Sequence, residues 1–114
     1  MENTILQPID RFPIEKPKDY KFYQYKKVGD DVVELKRIVA CYFEVDDSQH
    51  RRNEEAASII CSWLESDKGR WIMENAFETP YYDYCRRPDR WTVEFKVVAT
   101  FTSKKLTEYY LRFS

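Results

Sequence analysis

The strictest constraint on this chain is an unbroken alternation near its carboxyl end. Trp91, Val93, Phe95, Val97, Ala99 and Phe101 are apolar, while Thr92, Glu94, Lys96 and Thr100 between them are polar. Only a strand with one buried face satisfies that period, so residues 91–101 need a second layer to cover them. A helix supplies it. Ala56, Ile60, Trp63 and Leu64 recur at helical spacing, and Glu54, Glu55, Ser58 and Ser62 fall on the water side. Acids in the first turn suit the helix dipole. The pattern runs on through Trp71, Ile72, Glu74 and Ala76. It should kink or restart near Ser66-Asp67-Lys68-Gly69, since mid-helix glycine costs about 1 kcal/mol against alanine.

Two further strands lie upstream. Residues 20–28 are aromatic-rich, Gly29-Asp30-Asp31 has turn chemistry, and residues 32–45 set Val33, Leu35, Val39, Cys41, Phe43 and Val45 on one face. Together they predict a hairpin, with Arg37 marking the first half of its second strand as near an edge. Thr102-Ser103 caps a short final helix with Leu106, Tyr109, Tyr110 and Phe113 at helical spacing. A strand presenting Tyr109, Leu111 and Phe113 is the competing reading. The expected fold is α+β: one domain over residues 20–114, an antiparallel sheet of ββαβ order packed on one kinked helix, and a short carboxyl-terminal helix. Residues 1–19 carry Pro8, Pro13 and Pro17 and predict an extended arm. Ile5, Leu6, Ile9, Phe12 and Ile14 make that arm too apolar to stand free. It should lie on its own domain or on a second copy, the route to a homo-oligomer.

Composition removes whole classes of function. A chain of 114 residues suits one domain, and its 17% aromatic content argues against disorder. Two glycines, Gly29 and Gly69, cannot build a P-loop or a dinucleotide fingerprint. No apolar run is long enough to span a membrane. Bases and acids balance, 19 against 20, so no whole-domain basic field exists to draw nucleic acid. Met1-Glu2-Asn3-Thr4 lacks the order of a signal peptide, and three widely spaced cysteines do not form a secreted disulfide framework. A cytoplasmic location is expected.

Catalytic chemistry finds little purchase. His50, the single histidine, sits in the polar stretch Ser48-Gln49-His50-Arg51-Arg52 and reads as solvated. Cys41 and Cys61 fall on buried-looking faces, where a thiol is a small hydrophobe. Cys85 precedes Arg86 and Arg87, which would lower its pKa, yet no recognisable motif ties a histidine to it. No Cys-x-x-Cys pair exists, and a metal site from Cys41, His50, Cys61 and Cys85 would require four distant segments to converge. Asp30-Asp31, Asp46-Asp47 and Glu54-Glu55 read as turns and a helix start. The expectation is no enzyme, no metal and no cofactor.

Binding is better supported. Residues 77–90 show neither period, and a long connection without structure is often functional. Tyr81, Tyr82, Tyr84, Arg86, Arg87 and Arg90 gather there, of the residue types enriched in interface hot spots. The plainer reading folds this loop back on the sheet, with its arginines paired to Asp83 and Asp89. A protein partner is the leading expectation. Single-stranded nucleic acid is the alternative, held by this stretch and by Tyr20–Lys27, where bases alternate with aromatic faces.

From Ile38 onward the chain resembles small uncharacterised proteins of tailed bacteriophages. The resemblance rests on Trp63…Lys68-Gly69-Arg70-Trp71-Ile72-Met73-Glu74-Asn75-Ala76, Thr79-Pro80, the long alternating strand and Thr107…Leu111-Arg112-Phe113. The strand Ile38–Val45 fits its opening, and the match covers about two-thirds of the chain. The amino-terminal hairpin and proline-rich arm are departures from it. The resemblance carries no catalytic residues. It implies a viral accessory protein made in the bacterial cytosol.

Overall fold

The computed structural model describes residues 13–47 and 52–113 and is α+β. In chain order the elements are β1 (Ile14–Glu15), β2 (Tyr25–Val28), β3 (Asp31–Asp46), α1 (Arg52–Glu65), α2 (Asp67–Asn75), β4 (Tyr81–Arg87), β5 (Thr92–Thr102) and α3 (Ser103–Phe113). The strands form one sheet of order β1-β4-β5-β3-β2. It is mixed, where an all-antiparallel sheet of ββαβ order was expected. The difference comes from β1, which lies parallel to β4, with Ile14 beside Tyr81 and Glu15 beside Tyr82. Part of the expected arm is therefore a sheet strand; residues 1–12 of it lie outside the described residues.

β2 and β3 make the expected hairpin, although its first strand spans only Tyr25–Val28. The two-residue turn Gly29-Asp30 has positive φ at Gly29 (62°), which glycine accepts without strain. β3 is sixteen residues long and departs from its apparent pattern at Ala40. Val39 pairs with Val98 and Cys41 with Val97, so Ala40 is an extra residue, a β-bulge. Beyond it, Cys41, Phe43 and Val45 share the helix side with Val97, Phe95 and Val93. Before it the phase is reversed, and Val33, Leu35 and Val39 face the other way. Val39, expected in the core, is 55% exposed.

The helices cover one face. Ile60, Leu64, Ile72, Met73, Leu106 and Tyr109 pack with Ala40, Val97, Ala99 and Phe101, while Ala56 closes a second cluster on Val45, Val93 and Phe95. The helical segment is two helices and not one kinked helix: of the kink or restart expected at Ser66–Gly69, it is the restart that occurs. Ser66 ends the first and caps the second, its Oγ accepting from the Gly69 N–H at 3.0 Å. After Glu15 the chain turns at Pro17, where Tyr20 N–H donates to the Pro17 carbonyl, and crosses to the opposite face. There Tyr20 packs against Tyr81, ring centres 4.7 Å apart and planes tilted by 57°, and the Arg37 guanidinium lies 4.2 Å from the Phe22 ring centre. A small second core, with buried Leu35, Val98 and Thr100, sits beneath them.

Candidate functional site

Residues 80–90, expected as a loop, are mostly strand. β4 pairs antiparallel with β5 from Tyr81–Val98 to Arg87–Thr92. The tyrosines hid the alternation, because both faces of this strand are partly apolar and tyrosine suits either. Strand geometry divides the expected cluster, since successive side chains point to opposite faces. Tyr81 goes to the face away from the helices and is only 4% exposed. Its ring meets Tyr20, its hydroxyl lies 3.5 Å from Arg37 Nη1, and Lys16 Nζ sits 5.8 Å above it. It is core, and no partner can reach it. Tyr82 and Tyr84 take the helix side. Tyr82 is half-buried, its hydroxyl pKa raised chiefly by burial, and Tyr84 stacks on Phe95 at 5.7 Å while 48% exposed.

The three arginines are partnered, though not with Asp83 and Asp89. Arg87 donates twice to Glu94, from Nε at 2.8 Å and Nη2 at 3.2 Å, the two-pronged geometry that suits a guanidinium. Arg90 reaches Glu94 at 3.2 Å and Glu44 at 3.5 Å, and Arg86 reaches Asp47 at 3.4 Å. Arg87 is held above its ordinary pKa by hydrogen bonding to Glu94, and Glu94 below its own by Arg87. Tyr42 also hydrogen-bonds Glu44, at 3.3 Å. These side chains tie the ends of β3, β4 and β5 together. Asp83 lies 3.9 Å from Lys16.

Beside Tyr82 and Tyr84 runs a groove of about 440 Å3. Its sheet wall is Tyr82, Tyr84 and Phe95, and its helix wall is Ala56, Ala57 and Ile60 of α1. The groove exists because α1 packs over β5 and β3, and its two alanines are too small to fill the space above β4. Pro13, Glu15 and Asn53 complete the rim. Among the described residues, the outer edge of β4 is open alongside beyond Tyr82. β1 flanks β4 only at Tyr81 and Tyr82, with a last hydrogen bond from Lys16 N–H to the Tyr82 carbonyl at 3.0 Å. The chain then turns away at Pro17, whose carbonyl accepts from the Tyr20 N–H at 3.1 Å. Beyond that point Tyr84 and Arg86 have no strand neighbour on the outer side among the described residues. The Tyr84 N–H is met by the Asp83 carboxylate at 3.0 Å.

Sequence reasoning missed the α1 wall, because nothing in the spacing of Ala56 and Ala57 distinguishes a groove from a tight contact. Trp91, expected on the buried face of the alternating strand, falls outside β5 instead. This residue is 70% exposed at the β4–β5 turn and holds φ at 56°, the left-handed region that glycine favours. Elsewhere the structure gathers little chemistry. Among the described residues no group of three or more His, Cys, Asp or Glu side chains is placed to hold a metal ion. Cys41 is half-buried, its pKa raised by burial, while Cys61 and Cys85 are exposed, and all three are free thiols. His50 lies outside the described residues. No described helix is long and apolar enough to cross a membrane. No protein-family model matches the chain, and searches of curated proteins and of solved structures returned no match.

Proposed function

We propose that this chain is a non-catalytic protein-interaction module, a phage accessory protein of the bacterial cytosol that binds a host or viral protein. The groove between α1 and β4 takes an extended apolar segment of that partner. One observation carries the reading: among the described residues, a largely apolar groove lies directly beside a strand edge left open beyond Tyr82. An added strand gains main-chain hydrogen bonds from such an edge, and a flanking pocket selects its side chains. Tyr84 is the anchor, amphipathic and already oriented by Phe95. Arg86, Arg87 and Arg90 act at one remove, by fixing the strand ends. The nucleic-acid alternative is less well supported, because these arginines are matched by Asp47, Glu94 and Glu44 and leave little charge for phosphates.

The experiment compares partner capture by the native chain and by Ala57→Glu, which puts a charge on the groove wall from an exposed helical position. Capture that survives nuclease and high salt but is lost in Ala57→Glu supports the groove. Capture unchanged in a folded Ala57→Glu overturns it. Capture lost to nuclease turns the reading to nucleic acid.

A further inference from the structure

Among the described residues that line the groove between α1 and β4, Glu15 is the single ionic group; the others are apolar, tyrosine or Asn53. Glu15 stands beside Tyr82 in the β1–β4 register, so both side chains take the helix side of the sheet. Its neighbour Lys16 goes to the other face, 3.9 Å from Asp83 and 5.8 Å from the Tyr81 ring centre. Among the described residues no cation pairs with Glu15. Arg86, the cation on the same face of β4, is four residues along from Tyr82, roughly 13 Å. It is engaged by Asp47 at 3.4 Å. The groove is therefore acidic at one end and apolar along its length. Tyrosine oxygens share the acidic end: burial first, then the Glu15 charge and Tyr84, raise the pKa of the Tyr82 hydroxyl.

We infer that the partner segment entering this groove carries a lysine, its stem along the Tyr82, Tyr84 and Phe95 rings and its ammonium at Glu15. The inference rests on the groove reading proposed above and deepens it, by naming the chemistry the partner must offer. A lysine stem buries along apolar surface while its charged head stays at the water boundary. Glu15 is exposed, so the head reaches it without being stripped of water. The rings add attraction of their own, since an ammonium within about 6 Å of an aromatic centroid is drawn to its electron-rich face. An ammonium only donates, and the Glu15 carboxylate and Tyr82 hydroxyl offer it acceptors. An aliphatic side chain of the same length covers the apolar walls but shields Glu15 from water without pairing it. An acidic side chain is repelled.

The test uses the full chain and a blocked synthetic peptide, valine-threonine-lysine-threonine-valine, whose alternate side chains suit one face of an added strand. Two analogues carry norleucine or glutamate in place of the lysine. Backbone amide NMR signals of Ala57, Ile60 and Tyr84 report on the groove, and that of Phe101 on the fold. In the native chain the lysine peptide should move the three groove signals and bind about tenfold more tightly than the norleucine peptide. That preference should shrink in Glu15→Gln and invert in Glu15→Lys, which should favour the glutamate peptide. Both substitutions fall on an exposed side chain in a strand paired through its backbone, and an unmoved Phe101 signal verifies the fold. Norleucine peptide that binds as tightly as lysine peptide overturns the inference, while leaving the groove a site for uncharged apolar segments. A lysine preference unchanged in both Glu15 variants also overturns it, by placing the ammonium elsewhere. If none of the three peptides moves the groove signals, the inference is overturned, and partner capture by Ala57→Glu judges the groove separately.

Discussion

Gly69 stands against the carbonyl of Trp63: a Cβ built at Gly69 would lie 1.9 Å from that oxygen and 2.7 Å from its carbon. The contact is backbone on side-chain position, so no rotamer change relieves it. The end of α1 and the start of α2 are therefore locked together by the absence of a side chain. Gly69→Ala gains about 1 kcal/mol of helix propensity. It must still push the two helices apart, and overpacking of this kind typically costs about 1–3 kcal/mol. We expect net destabilisation in urea unfolding, accompanied by a change in the near-ultraviolet signal of Trp63 and Trp71. A variant as stable as the native chain would show that the junction yields freely.

Trp91 presents the opposite case, a large side chain where the backbone prefers none. The β4–β5 connection turns through Pro88, with Arg90 N–H donating to the Arg87 carbonyl at 3.1 Å, and leaves Trp91 in the left-handed region. Such a conformation costs roughly 1–2 kcal/mol for a residue with a Cβ. Because the indole is mostly exposed, little packing offsets that cost. Trp91→Gly should therefore raise stability by about 1 kcal/mol, read as a higher denaturant midpoint with an unchanged slope. Loss of stability would mean that the indole has a packing role its exposure does not reveal.

The helices and β5 could be read from the sequence because each has a clean apolar period, although β5 also buries Val98 and Thr100 on its second face, which the alternation did not disclose. β3 could not, for a physical reason. Ile38, Val39, Ala40 and Cys41 are four apolar residues in a row, and an inserted residue within such a run leaves no break in the pattern. Arg37, a charge in the apolar alternation, was the visible trace of the bulge. It lies near the sheet edge, as expected, and also marks a reversal of faces, for its guanidinium rests on Phe22 on the side away from the helices. β4 was hidden differently. Tyr81 fills a small core on one face while Tyr82 and Tyr84 line a groove on the other, so no polar face alternates with an apolar one. The residue types of the site were legible; their division between faces was not.

Acid should loosen the β4–β5 tip before it unfolds the domain. Hydrogen bonding from Arg87 outweighs desolvation and holds Glu94 below the ordinary carboxylate range. A group depressed on folding contributes stability that is fully present above its unfolded pKa, about 4.3 for Glu. That contribution is lost as pH falls through the depressed folded value. Amide exchange at Arg86 and Thr92 should accelerate over that acid window, after correction for the intrinsic rate, while exchange at Phe101 does not. Glu94→Gln should remove the pH dependence and leave the tip loosened throughout. A pH response that persists in Glu94→Gln would assign it to another carboxylate.

Tyr81 and Tyr84 lie three residues apart on one strand, and their truncations should have different consequences. Tyr81 is buried against Tyr20 and next to Arg37, so Tyr81→Ala opens a cavity beneath the crossing segment and should cost about 3–5 kcal/mol of stability. Tyr84 is half exposed and contributes mainly its stack on Phe95, an arrangement worth about 1 kcal/mol. Tyr84→Ala should therefore remain folded while weakening partner binding by about 2 kcal/mol or more, as expected of an interface anchor. Melting curves and partner affinities of the two variants, measured side by side, separate the roles. The interpretation requires affinity lost without stability in Tyr84→Ala and stability lost in Tyr81→Ala. If Tyr84→Ala leaves affinity intact, the contact surface is not this groove. If both variants lose stability and affinity in parallel, β4 supports the fold alone.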